Sequence, residues 1–462
     1  MADVMAPAHV LAAQLRAGRL KAVDVMAACY DQLEAQNGAL NAVVSALPRD
    51  AAMALAHAAD QSAPTGSLHG LPLAVKDLAN AAGFPTSMGS PLSSTRAVSA
   101  DDPHIARLRA AGALVFGKTN TPEFGLGSHS YNPVHGVTRN PFDPARSAGG
   151  SSGGAGVALA CGMMPIADGS DMMGSLRNPA VWNGVYGLRP SFGRVPSEPN
   201  GDRFLNMLST NGPMARCPED LALLLDVMSG PDARQPHGRD LPQVTPALTA
   251  ETGALRLGWL GDWGGAWPME EGLLAAHEAA LEQFEALGHA VTALPAPFDR
   301  DALWHSWIDL RSLVVAGSLR ALAHRRDGLK PEALWELDRG LAFSGAEILR
   351  ASSDRAAWYR TVMALFETYD ALILPAAQVR PFPADWAWPR EIAGVEMDSY
   401  HRWMEAVIPA SLIGLPCLAV PAGLDRGLPF GLQIMGPPDS DARLLQIARD
   451  WHRLGLQPRP GP

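Results

Sequence analysis

Cysteine is scarce: the 462 residues hold four, Cys29, Cys161, Cys217 and Cys417, far apart and without CxxC spacing. That excludes a disulfide framework and argues against a structural zinc site. No run of about 18 apolar residues occurs, so no membrane span is expected. The start, MADVMAPAHV, lacks the basic lead and apolar core of a signal peptide, and a soluble cytoplasmic protein is expected. Basic runs are missing as well. Lys and Arg number 37 against 47 Asp and Glu, a formal net charge of −10, so neither nucleic acid nor an anionic membrane is an expected partner. The 13 histidines show no HExxH or other ligand spacing. No metal and no cofactor is therefore expected.

What is present is apolar surface. Apolar residues make up 47% and charged residues 18%, enough for a large core and too apolar for disorder. Residues 8–36 read as two amphipathic helices broken near Gly18. GLPLAVKDLA (70–79) reads as a buried strand ending in Lys76-Asp77, and HIARLRAAGALVFGKTN as helix, glycine turn and strand. This βαβ grammar predicts an α/β fold with a large mixed, mostly parallel twisted sheet covered by helices on both faces. Residues 190–250, rich in Pro, Gly and Asp, read as loops around the helix PEDLALLLDVMSG. Further strands are expected in LRLGWLGDW, YDALILPAAQ and LPCLAVPAG, and a helix running into a strand in EEGLLAAHEAALEQFEALGHAV. No linker forces a boundary, so residues 1–462 are expected to form one domain.

The stretch ARSAGGSSGGAGVALACGMMPIADGSDMMGSLRNPA (145–180) carries the most information. Two serine-glycine clusters, Ser147–Gly156 and Gly169–Ser175, flank an alanine-rich run. GGSSGGAG has no GK[ST], which removes the phosphate-loop reading, and no GxGxxG after a strand, which leaves the dinucleotide reading poor. Gly150–Gly154 fits GxSxG with Ser152 as nucleophile, but that pattern needs a strand before it. The preceding NPFDPARSAG is a poor strand. An esterase of that kind, using Ser152 and a histidine, stays as an alternative.

The segment from GGSSGG through GSDMMGSLRNPA to GVYGLRP resembles the signature of the amidase signature family. GLPLAVKD resembles that family's lysine strand, GKTNTPEFGLGSHSYNP its NxxE[FY] segment, and GLPCLAVPAGLDRGLPFGLQIMG its C-terminal strand pair. The resemblance is densest from 70 to 197. It implies a signature core over about 65–200 and a variable substrate region over about 255–410.

The resemblance implies a Ser–Ser–Lys triad. Its lysine falls on Lys76, its bridging serine, entered through a cis peptide, on Ser151, and its nucleophile on Ser175, 24 positions later. It also implies an oxyanion turn at Met172, Met173 and Gly174, where Met173 replaces a glycine and would be strained if that backbone needs a positive φ. Ser152, Ser170, Asp171 and Arg177 are expected to support these turns, and Gly125, Leu126 and Gly127 to touch substrate. The chemistry is sound: a serine hydroxyl needs a base, and lysine serves when burial keeps its amine neutral. Cys161, in the connecting helix, reads as a small core residue.

The expected activity is hydrolysis of a small-molecule amide through an acyl-enzyme, with ester or carbamate (urethane) cleavage open to the same route. The expected assembly is a monomer or homodimer. The glutaminase subunit of a transamidase complex and a catalytically dead binding protein are the other readings. Eleven of twelve tryptophans lie at or beyond Trp259. Those in 304–315 and 384–403, with Trp386 and Trp388 as a rim, are expected to wall an apolar or aromatic substrate pocket beside Met172 and Met173. Trp335 and Trp451, on helices, read instead as ordinary core residues.

Overall fold

The N-terminal periodicity resolves into helices Ala8–Arg16 and Ala22–Leu40, with Gly18 at φ 66° between them. The computed structural model describes residues 2–198 and 202–461. All five residues of the strand Pro72–Lys76 are buried. It runs parallel to Leu114–Thr119 through helix Pro103–Ala110, the βαβ unit read from sequence. Val43–Val44 adds a third, antiparallel strand to this small sheet.

The main sheet has eight strands, in the order Ala290–Ala293, Arg256–Trp259, Ala371–Pro375, Leu428–Met435, Cys417–Asp425, Tyr186–Arg189, Thr210–Ala215 and Ala167–Asp171. It is mixed and flanked by helices, as expected, but its balance is antiparallel rather than parallel. Only the first three strands run parallel to one another; every other neighbouring pair is antiparallel. Two local features explain this. Arg426 and Gly427, at φ 50° and 79°, make the whole connection between Cys417–Asp425 and Leu428–Met435. A two-residue loop with both residues left-handed is a hairpin, which forces antiparallel pairing. Thr210–Ala215 lies in the stretch read as loops, and its Asn211-Gly212-Pro213 has turn composition. Pairing on both edges, with Tyr186–Arg189 and Ala167–Asp171, overrides that propensity.

Between the serine clusters runs the helix Gly153–Ala160, all eight residues buried. Its small side chains allow close approach: a Cβ on Gly154 would stand 2.4 Å from the Asn120 backbone nitrogen. Cys161 caps this helix rather than lying within it. All four cysteines are buried and free.

Helix Arg300–Leu319, opened by Asp299 accepting the Ala302 N–H at 2.8 Å, packs against helices Pro331–Ala342 and Gly345–Phe366. Val315, Ala316, Leu319, Ala333 and Leu337 form a satellite apolar cluster with Leu126 and Tyr400, and this cluster borders the site described next. No described helix is long and apolar enough to cross a membrane.

Candidate active site

Lys76 ends its strand 1% exposed, with its backbone N–H donated to Asp168 Oδ1 at 3.0 Å. Its Nζ meets four oxygens: Ser151 Oγ and Ser152 Oγ at 2.8 Å, Ser170 Oγ at 3.1 Å and the Ser170 carbonyl at 3.3 Å. Burial lowers its pKa to about 7, against the opposing pull of Asp168 and Asp171. The peptide bond Gly150–Ser151 is cis. The Ser152 N–H donates to the Ser175 carbonyl at 3.2 Å, which ties the first serine turn to the second.

The second turn is braced from behind. Asp171, fully buried, accepts Nε and Nη2 of Arg177 at 3.0 Å each, the Gly174 N–H at 2.9 Å and the Leu176 N–H at 3.1 Å. Burial alone would raise the Asp171 carboxyl. Arg177 and Arg189 outweigh it and hold the group well below the usual carboxylate range. Arg177 continues to Gln433 Oε1 at 2.6 Å and Ser411 Oγ at 2.7 Å, so the C-terminal hairpin also positions this turn.

Two expectations about the turn change. The positive φ falls on Gly174, at 77°, and not on Met173, which therefore carries no left-handed strain. The Gly174 N–H, expected to face an oxyanion, is taken by Asp171. Among the described residues the N–H groups of Met172, Met173 and Ser175 have no protein acceptor. The free donors are thus Met172, Met173 and Ser175.

Ser151, Ser170, Met172, Met173 and Ser175 line one cavity of about 820 Å³, together with Gly125, Leu126 and Gly127. Ser152, 0% exposed, does not reach it. No strand precedes Ser152 either, so the strand-to-helix elbow required by GxSxG is not present. Much of the remaining wall is apolar, from Leu78, Met88, Leu92, Phe124, Val315, Leu319, Leu322 and Met404, with Ser93, Ser209, Ser318, Arg311 and Arg320 as its further polar members. Among the described residues no carboxylate and no tryptophan lines it.

The expected tryptophan wall is therefore corrected. Trp307, Trp358, Trp403 and Trp451 are core residues, and Trp263 stacks on Trp267 at 4.7 Å. Trp386 stands 49% exposed, stacked on Phe382, and Trp388 lines a separate cavity beneath Arg390. Trp335, expected in the core, is instead 39% exposed on its helix, whereas Trp451 is buried as expected. Large rings in this chain fill the interior, where their area is best buried. Sequence reading missed Arg311, Val315 and Leu319, one helix face at spacings of four that a period count over RSLVVAGSL contains. Met404, in an irregular turn, had no such signal.

Only one group of described side chains has metal-ligand proximity: His9, Cys217 and Asp220. Both Asp220 oxygens already accept backbone N–H groups of Ala8 and His9, each at 2.7 Å, which makes this a helix cap.

Comparison with known proteins gives the family and the fold. The family model described as Amidase matches residues 24–445. The chain is 34% identical to a glutamyl-tRNA(Gln) amidotransferase subunit of Chloroflexus aurantiacus, covering 96% of this chain and 95% of that protein. It is 32% identical to the indoleacetamide hydrolase of Bradyrhizobium diazoefficiens, over 96% and 86%. The crystal structure of a bacterial aryl acylamidase of the amidase signature enzymes superposes with a TM-score of 0.90 at 27% identity, covering 97% and 96% of the two chains.

Proposed function

The chain belongs to the amidase signature family, hydrolases of carbon–nitrogen amide bonds, and on that premise we propose that it cleaves neutral apolar or aromatic amides through a Ser175 acyl-enzyme. The observation that carries this is the buried Lys76 amine, its pKa lowered to about 7, 2.8 Å from Ser151, which lines the largely apolar cavity that Ser175 shares.

The neutral amine accepts the Ser151 proton while Ser151 accepts that of Ser175, so Oγ of Ser175 attacks the amide carbon as it loses its hydrogen. Negative charge then develops on the carbonyl oxygen. The free N–H groups of Met172, Met173 and Ser175 are fixed before it forms, which is what makes such donors effective. Collapse expels the amine, which takes the proton back through Ser151. Water then repeats the sequence on the ester. Ester and carbamate substrates enter by the same acyl chemistry. Asp171 and Arg177 hold the donor turn, and Ser152 and Ser170 hold the lysine.

The substrate class is supported by the cavity wall and by two relatives whose names specify aromatic amides, indoleacetamide hydrolase and aryl acylamidase. A second reading, the glutaminase subunit of a transamidase, is favoured by the similarity to the amidotransferase protein of Chloroflexus aurantiacus. Against it, among the described residues no carboxylate lines the cavity to meet the ammonium of glutamine. The test is kcat/KM for an aryl amide and an aryl carbamate against glutamine and acetamide. The aryl substrates should lead by at least about 100-fold, the scale of several well-placed apolar contacts. A preference for glutamine would put the transamidase reading first.

A further inference from the structure

Arg311 is the buried cation in the cavity wall among the described residues; the other arginine there, Arg320, sits exposed at the mouth, where solvent screens it. Arg311 is 3% exposed. Its Nε donates to Glu336 Oε1 at 2.7 Å and its Nη2 to Tyr400 Oη at 2.9 Å. Glu336, fully buried, also accepts from Ser312 Oγ and Tyr400 Oη at 2.7 Å each. The charge of the guanidinium is thus balanced and its plane fixed. Its hydrogen-bonding capacity is not filled. Nη1 has only the thioether of Met172, Sδ at 3.3 Å, and a thioether is a weak acceptor. Met172 is itself three residues before Ser175 and flexible enough to move aside.

We propose that Arg311 Nη1 is the recognition group of this cavity for an uncharged oxygen, a carbonyl, ether or hydroxyl that the substrate carries away from its scissile bond, with Met172 Sδ keeping that place until the oxygen arrives. The inference rests on reading the cavity as the site of amide cleavage. A hydrogen bond from a charged donor to a neutral oxygen is among the stronger ones, and a fork already held by Glu336 and Tyr400 loses little freedom in making it. An anionic substrate group gains less. It would meet a pair with no net charge and would have to leave water for an apolar wall.

The experiment uses a series of aryl amides of equal length in which one methylene is replaced by an ether oxygen, stepped along the chain, and a third set ending in a carboxylate. At one position the oxygen probe should exceed its methylene partner by about tenfold in kcat/KM, mostly through KM. The double variant Arg311→Met/Glu336→Gln removes both charges together, so no lone buried ion remains. In it the ratio should fall to about one. Glu336→Gln alone uncovers the cation and should raise the carboxylate probe about tenfold relative to the methylene one. Should the double variant not fold, Arg311→Lys, which gives up the fork, should also lower the oxygen preference. No preference in the parent enzyme, a preference that survives these changes, or no gain for the carboxylate probe overturns the proposal. Calorimetric binding of the probes to Ser175→Ala separates the two readings. Loss of turnover without any binding preference overturns Arg311 alone, whereas full turnover by Ser175→Ala overturns the site itself.

Discussion

Lys76 Nζ stands 2.8 Å from the hydroxyls of both Ser151 and Ser152, yet only Ser151 also lines the cavity shared with Ser175. Two neighbouring serines with equal access to the amine are thus unequal in access to substrate. Ser151→Ala should lower kcat by on the order of 10²–10⁴-fold, the usual contribution of a proton-transfer group. Ser152→Ala removes one hydrogen bond to the lysine and should cost about tenfold or less. Equal losses in the two variants would contradict the relay role of Ser151.

On the proposed mechanism the charge state of Lys76 governs activity. Its pKa is lowered, chiefly by burial, to about 7, and the neutral amine is the working form. A lowered lysine pKa moves the rising limb of the pH profile down from the alkaline range. kcat/KM should therefore climb through about pH 7 and stay high above it. Lys76→Ala should be nearly inactive across that range. EDTA should leave activity intact, because the proposed base is an amine; loss in EDTA restored by a divalent ion would contradict the account.

Gly174 should not tolerate a side chain. It sits at φ 77°, and a Cβ there would meet both γ-carbons of Val407 at 2.9 Å. Left-handed backbone alone costs a β-carbon residue about 1–2 kcal/mol. Gly174→Ala should lower unfolding stability by at least that amount in denaturant titration and reduce kcat more than it raises KM, because the donor turn shifts. Parent-like stability and kcat together would show that the turn is not held as described.

Much of this site was legible before folding. Lys76, Ser151, Ser152 and Ser170 gather because three short segments carry them, Lys76 and Ser170 near the ends of two strands and Ser151 and Ser152 on one turn, and the motifs of the family resemblance mark all three segments. The bracing by Asp171 was legible for the same reason. What escaped was long-range. Arg311, Leu319 and Met404 reach the cavity only because a helix and an irregular turn, more than a hundred residues downstream, close over it. Thr210–Ala215 became a strand against its own composition because both edges were available for pairing. The tryptophans misled because ring size predicts burial as well as binding, and here interior packing took most of them. The Gly174 N–H was misassigned because a carboxylate three positions earlier competes for it.

The central claim is that Ser175 carries the acyl group. The direct measurement is peptide mapping by mass spectrometry after reaction with a fluorophosphonate, which traps an activated serine as a stable adduct. The account predicts a single adduct on the peptide containing Ser175, absent from Ser175→Ala and much slowed in Lys76→Ala. An adduct on Ser152, or one that persists in Ser175→Ala, would contradict it.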